Sequence, residues 1–446
     1  MASGGPAPGD GAAPGGIPAL RPVFARREDA REVERRLLPS GVTLVGRDDI
    51  ENDLVAVKLH VRMGSAEESD GEAGVANLVM RLLLKGTARH TAARLAADLE
   101  SLGGRLTTGG AKEAATMSLL CAREVLDPCL DLLIETVTEP TFPEGEFETE
   151  RQAALARIQA RKDQLLGLAF DLFHELFYGA HPYHKPAAGY EASVKALKRS
   201  DIVSAYERLV TPPNMVAAIV GRVDLDRIAA RLDQGLATLE RNAPPVPATA
   251  PLPARGAESV EERDVRTAKI VAGYPAPPAG HPDSAAMAIF SAVLGGSMDS
   301  RLFTELRDKR GLAYEVGALY ASYVGPSFIA AYMGTRGSQA PVACAALLAE
   351  IERLRDEGPN ADELERARNF LSGSQLMALE RNANRASAYG LNELLGLGFD
   401  FGDRFLEALD RVTTAGVRRA AVSWLDRPSI TVVLPESGRS ASRGEE

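Results

Sequence analysis

Residues 54–62 read Leu-Val-Ala-Val-Lys-Leu-His-Val-Arg, an alternation that predicts a β-strand with one buried face. Similar runs predict strands over 269–274 and 327–333, and the threonine-rich stretch 105–122 predicts a pair of strands. Apolar residues recur at helical spacing over 92–102, 126–137, 283–294 and 342–355. Strands come first, then helices, then a closing strand, and the series occurs twice. The expectation is an α+β fold of two duplicated halves, each a β-sheet with helices packed on one face.

The duplication is legible in the pattern itself. Residues 194–221 form an amphipathic segment, then Thr-Pro-Pro-Asn, then the apolar run Met-Val-Ala-Ala-Ile-Val-Gly; residues 406–434 repeat the scheme, with a proline turn before Ile-Thr-Val-Val-Leu. A second correspondence pairs Glu146-Phe-Glu-Thr-Glu-Arg-Gln with Glu363-Leu-Glu-Arg-Ala-Arg-Asn, each opening a long helix after a proline-containing turn. Residues 241–255 hold five prolines and predict an extended linker. The chain therefore divides into a disordered and charged N-terminal tail (1–37), a first half (38–240), a Pro-rich linker (241–262), a second half (263–436) and a polar tail (437–446).

Composition narrows the function. Of 446 residues 45% are hydrophobic and 25% charged, the profile of a water-soluble globular chain. A net charge of −10 argues against a nucleic-acid footprint. No stretch reaches the ~20 apolar residues of a membrane span, and the Gly-, Ala- and Pro-rich start has no basic-then-apolar signal pattern. Cytoplasmic location is expected, or periplasmic where a signal has been removed. Cys121, Cys129 and Cys344 sit in apolar stretches with neither disulfide nor zinc spacing, and read as buried thiols.

Residues 74–87 read Gly-Val-Ala-Asn-Leu-Val-Met-Arg-Leu-Leu-Leu-Lys-Gly-Thr. Taken alone this is an apolar helix. Its frame resembles the zinc helix of the pitrilysin/insulinase-type peptidases, roughly Gly-x-Ala-His-x-x-Glu-His-x-x-x-Lys-Gly-Thr. At the positions of the two metal histidines stand Asn77 and Arg81, and at that of the catalytic glutamate Met80. The resemblance places a third ligand seven residues after a glutamate on a later helix; Glu150 is present, and the ligand position is Arg157. Asn77 offers a weak neutral oxygen, Met80 takes no proton, and two arginines cannot ligate a cation. A cation standing where zinc would sit is expected to pair with Glu150. Further matches follow in family order: His181-Pro-Tyr, Pro186, Gly189, Glu191 and the Pro-Asn before Val-Gly221-Arg-Val-Asp. His181 and His184, with His174 upstream, read as parts of a structural turn and not as metal ligands.

In the second half, 294–316 is similar to the family segment in which active enzymes use an Arg and a Tyr seven residues apart; Arg307 and Tyr314 match it. Spacing alone reads them as a surface arginine and a core tyrosine. Residues 300–310 predict a helix, stopped by Gly311, after which Tyr314 starts a strand. The resemblance covers about 38–436. It implies the non-zinc subunit of a bacterial-type heterodimeric peptidase: one side of a clamshell, without a cofactor of its own, facing a zinc-bearing paralogous partner across a peptide or small-protein substrate. Arg307 and Tyr314 would then act in trans. The alternative is a catalytically dead structural or assembly paralogue.

Overall fold

The computed structural model describes residues 32–242, 253 and 255–436. Two mixed sheets form its frame. The first contains β1 (Glu34–Leu37), β2 (Thr43–Asp48), β3 (Leu54–Val61), β4 (Arg105–Gly110), β5 (Ala115–Ala122) and β6 (Met215–Gly221), ordered β1-β2-β6-β3-β5-β4. The second contains β7 (Glu258–Arg263), β8 (Thr267–Ala276), β9 (Glu315–Ala321), β10 (Ser327–Arg336) and β11 (Ser429–Pro435), ordered β7-β11-β8-β10-β9. With β1 set aside, both sheets place the strands of their half in the order first, fifth, second, fourth, third. In both, the first and fifth pair in parallel and the remaining neighbours antiparallel. The halves are thus repeats in topology as well as in sequence pattern.

The first half carries α1 (Val75–Leu82), α2 (Ala92–Ser101), α3 (Leu126–Thr138), α4 (Glu144–Lys162), α5 (Leu165–Tyr178), α6 (Glu191–Ala196), α7 (Arg199–Leu209) and α8 (Leu225–Leu236). The second carries α9 (Ser284–Gly295), a π-helix (Phe303–Lys309), α10 (Ala340–Glu357), α11 (Ala361–Ala378), α12 (Asn382–Leu394), α13 (Phe401–Arg411) and α14 (Thr414–Trp424). On β3, Val55, Val57, Leu59 and Val61 enter one core with α1, α3, α7 and α8. On β8 and β10, Ile270, Ala272, Ile329, Ala331 and Met333 do the same against α9, α10 and α14.

Each half's own helices pack on one face of its sheet, as expected, and the opposite faces are covered as well. Alternation leaves a second apolar row on each sheet, and a helix of the other half covers it. Phe173, Phe177 and Tyr178 of α5 pack with Val271, Phe328, Ala330 and Val433 of the second sheet. Ala386 of α12 packs with Ala56, Ala218 and Val220 of the first. Arg385 of α12 pairs with buried Asp49 at 2.5 Å, and Asn382 donates to the Leu54 carbonyl at 3.0 Å. The contacts are close enough to select glycine. A Cβ on Gly273 would lie 2.2 Å from Phe173 Cζ, and one on Gly390 2.4 Å from His60 Cδ2.

The structure also moves two boundaries. β1 lies within the stretch expected to be a tail, and all of β7 but Arg263 within the expected linker. Both are largely exposed strands whose charged residues face water, which a strand at a sheet edge tolerates. Arg35 pairs with Glu393 and Arg36 with Asp226, each at 2.5 Å. Residues 1–31 and 437–446 of the expected tails, and 243–252 and 254 of the expected linker, lie outside the described residues. No helix among the described residues is long and apolar enough to cross a membrane. Cys121 and Cys129 are buried, whereas Cys344 is only partly so, and all three are free thiols.

Candidate functional site

Helix α1 starts where Gly74, at φ 99°, turns the chain. The Glu68 carboxylate accepts from the N–H groups of Gly74 at 2.9 Å and Ala76 at 2.8 Å, meeting donors that the first helical turn leaves free. Burial pushes the Glu68 carboxyl up to about 7, against the pull of those two bonds. The helix buries Val75, Ala76, Leu78, Val79, Met80 and Leu82. Asn77 and Arg81, one turn apart, remain on the open face, and Arg81 Nε donates to Asn77 Oδ1 at 3.0 Å. Met80 is 1% exposed and belongs to the core.

Helix α4 runs alongside. Its Glu150, largely buried, is ringed by cations: Lys85 Nζ at 3.1 Å, Arg157 Nη2 at 3.3 Å and Arg81 Nη1 at 4.0 Å. Burial acts to raise the Glu150 carboxyl, but Lys85 and Arg157 outweigh it and hold it below the usual glutamate range. The Arg81 guanidinium is shifted down, first by burial and then by Arg157. Asn77, Arg81, Arg157 and Glu150 are therefore brought together, while Met80 is turned into the core.

Arg81 opens into a cleft of about 470 Å³ whose wall includes Asn77, Met80, Thr108 to Gly110, Lys112, Arg161, Asp171, His174 and His184. Strand β4, at the sheet edge, supplies Thr108 to Gly110. A second cleft of about 750 Å³ lies between α5 and the second sheet, with Lys269, Glu315, Leu319 and Phe328 in its wall. The two share Arg161, His174 and Tyr323. The histidines serve the turn. His181 Nδ1 accepts from the Tyr183 N–H at 3.1 Å, and His184 Nδ1 lies 2.9 Å from the His181 carbonyl. Tyr183 bridges the halves: its hydroxyl donates to Glu113 and accepts from the Gly325 N–H at 3.1 Å.

Arg307 and Tyr314 both lie at the surface, Arg307 as its spacing suggests and Tyr314 against the core reading of its spacing. The segment 303–309 is π-helical, and the Arg307 guanidinium stacks 4.6 Å from the Phe303 ring centroid. Tyr314 precedes β9, is 57% exposed, and its hydroxyl accepts from Arg336 Nε at 3.1 Å. Neither residue lines the two clefts. Arg336 is a contact that sequence reasoning missed. Only the pairing of β10 with β9, Gly334 opposite Glu315, brings it to Tyr314. Lys112 and Arg161 were missed because nothing in their local sequence marks them.

Residues 44–190 match the insulinase (peptidase family M16) model, and residues 196–371 match the model of the peptidase M16 inactive domain. The chain belongs to the M16 peptidase family. An uncharacterized zinc protease of Streptomyces coelicolor is 28% identical over 424 residues, covering 92% of this chain and 91% of that protein. One of Bacillus subtilis is 24% identical over 418 residues, covering 92% and 100%. Among solved structures, the M16 inactive domain from Pseudomonas fluorescens superposes with a TM-score of 0.84 at 24% identity, covering 91% of this chain and 98% of that one. A protease from Helicobacter pylori gives 0.85 at 20% identity, covering 91% and 100%.

The M16 family implies zinc, and the residues here do not fit it. A zinc site takes imidazole nitrogen, thiolate or carboxylate oxygen. Of Asn77, Met80, Arg81 and Arg157, only Asn77 presents an oxygen, and that oxygen is engaged by Arg81. Glu150, the nearby carboxylate, already has Lys85 and Arg157. Among the described residues no group of three His, Cys, Asp or Glu side chains stands close enough to hold a metal ion.

Proposed function

We propose that this chain is the non-zinc subunit of a heterodimeric M16 peptidase, forming one side of a clamshell that closes over a peptide against a zinc-bearing paralogue. The carrying observation is Glu150 held by Lys85, Arg157 and Arg81. Cations occupy two of the three ligand positions and the remaining carboxylate pairs with both, so the helix pair keeps its packing without a metal. The edge strand β4 offers unpaired backbone groups to an extended peptide beside the cleft.

In this reading Arg307 and Tyr314 face the partner's active centre in trans. Hydrolysis of an amide builds negative charge on the carbonyl oxygen, and a positioned guanidinium or phenol O–H stabilises it. The exposure of Tyr314 leaves it reachable from a partner surface. A second reading, a structural paralogue that only assembles, is favoured by the engagement of the Tyr314 hydroxyl with Arg336.

The deciding experiment mixes this chain with a paralogue bearing an intact His-x-x-Glu-His and follows cleavage of quenched peptides. Cleavage in the mixture alone is expected, with a loss of about 10²–10³ in kcat for Tyr314→Phe or Arg307→Ala. Full activity in both variants would leave the structural reading. One equivalent of zinc bound by the purified chain, or cleavage by it alone, would overturn both.

A further inference from the structure

The cleft beside Asn77 has an electrostatic character opposite to that of the whole chain. The chain carries a net charge of −10. The cleft wall holds three cations, Arg81, Lys112 and Arg161, against one carboxylate, Asp171. Arg161 and Asp171 cancel each other in a two-pronged pair at 2.6 and 2.7 Å. Lys112 is left without a paired carboxylate among the described residues, and Arg81 shares Glu150 with two nearer cations, so the wall keeps a net positive charge.

Each retains donors. Lys112 Nζ donates to the carbonyls of Tyr183 at 2.5 Å and Lys185 at 2.8 Å, and among the described residues no carboxylate stands within ion-pair distance of it. An ammonium has three N–H groups, so one is unspent. Arg81 gives Nε to Asn77 and touches Glu150 only at 4.0 Å, behind Lys85 and Arg157. Arg81 lines the cleft and, among the described residues, its terminal N–H groups make no hydrogen bond; a guanidinium fork matches the two oxygens of a carboxylate. A half-buried cation without a counter-ion of its own is unfavourable until an anion arrives.

Resting on the reading of this chain as a peptide-binding subunit, we infer that the cleft between α1, β4 and α5 is a carboxylate-binding site, with Arg81 and Lys112 as its anchors. The position that holds a metal cation in an active member of the family here receives an anion. The edge strand β4 alongside makes a peptide the source, and two of its groups supply the chemistry: the C-terminal carboxylate, or an Asp or Glu side chain.

Fluorescence anisotropy with the full chain and labelled octapeptides of one apolar sequence tests this. One arm compares the C-terminal acid with the C-terminal amide. The other compares amidated peptides carrying an internal Asp or Asn. The carboxylated form of at least one pair is expected to bind about 10- to 100-fold more tightly, and the arm that shows it names the source. The preference is expected to collapse in Arg81→Gln and in Lys112→Met and to weaken with salt. Lys112 also ties two carbonyls, so if Lys112→Met loses its circular dichroism, Arg81→Gln decides alone. Equal binding of all four peptides, a preference that survives Arg81→Gln, or no saturable binding of the carboxylated forms would overturn the inference. Cleavage of uncharged peptides by the mixture with the zinc-bearing chain is unaffected by that result, and judges the subunit reading separately.

Discussion

Arg157 donates to the Glu150 carboxylate across 3.3 Å, two turns further along the same helix. Removing the carboxylate leaves Arg157 and Arg81 without a counter-ion among the described residues, and Lys85 with Glu146 alone at 3.8 Å. The expected cost of Glu150→Gln is about 1–2 kcal/mol, toward the low end for one-sided removal because the three cations are each partly exposed. Urea denaturation at low and high salt measures it, the loss being smaller at high salt. The Glu150 pKa is lower in the folded state than in the unfolded chain, so its contribution is complete above the ordinary glutamate pKa and is lost as pH falls through the folded value. An unchanged midpoint would show that the ring of cations needs no anion.

Glu68 predicts the opposite slope. Its carboxyl titrates near 7 when folded against an ordinary value of 4.5, so the folded state keeps a proton that the unfolded chain releases. Stability from this group is complete below 4.5 and declines as pH rises to about 7. Glu68→Gln removes the titration. The difference in unfolding free energy between wild type and variant should change across that window and be flat above it. A constant difference from pH 4.5 to 8 would refute the assignment.

Gly273 and Phe173 test the exchanged helices. Gly273→Ala forces a methyl against the Phe173 ring, at an expected cost of about 1–3 kcal/mol. Phe173→Leu shortens the opposing side chain. The double variant should be less destabilised than the two single losses added together, a coupling of about 0.5–3 kcal/mol. Strict additivity would mean that the sheet moves away from α5 instead of pressing on it.

Arg336 separates orientation from chemistry at Tyr314. Tyr314 is exposed and Arg336 lies at the strand end, so Arg336→Ala should leave thermal stability unchanged. If Tyr314 acts in trans, kcat in the mixture with the zinc-bearing chain should fall while KM changes little, and Arg336→Lys should restore part of the rate. Identical kinetics in Arg336→Ala would show that the tyrosine needs no holding.

Much of the frame was legible in the chain. Alternation located β3, β8 and β10, and helical spacing located α3, α9 and α10, because those segments bury one face against their own half. The gathering of Arg81 and Arg157 about Glu150 followed from a motif frame with its spacing intact. The rest depended on partners remote in sequence. Nothing near Phe173 announces β8 as its seat, nothing near Lys112 announces the turn at Tyr183, and Arg336 reaches Tyr314 only through strand register. The π-helix at Phe303–Lys309 shares the amphipathic signature of an α-helix, so its widened turn left no separate trace.

The seating of α5 sets an order on synthesis. The ring face formed by Phe173 and Phe177 is covered in part by Val433 of β11, the last strand of the described chain to leave the ribosome. At about 5–20 residues per second this face stays wet for many seconds after α5 has been made. The first half cannot complete itself early, as an independent N-terminal domain would. A nascent chain paused anywhere in the second half presents an aromatic helix to whatever is nearby, and that window is where this fold is most open to holdase chaperones and to aggregation.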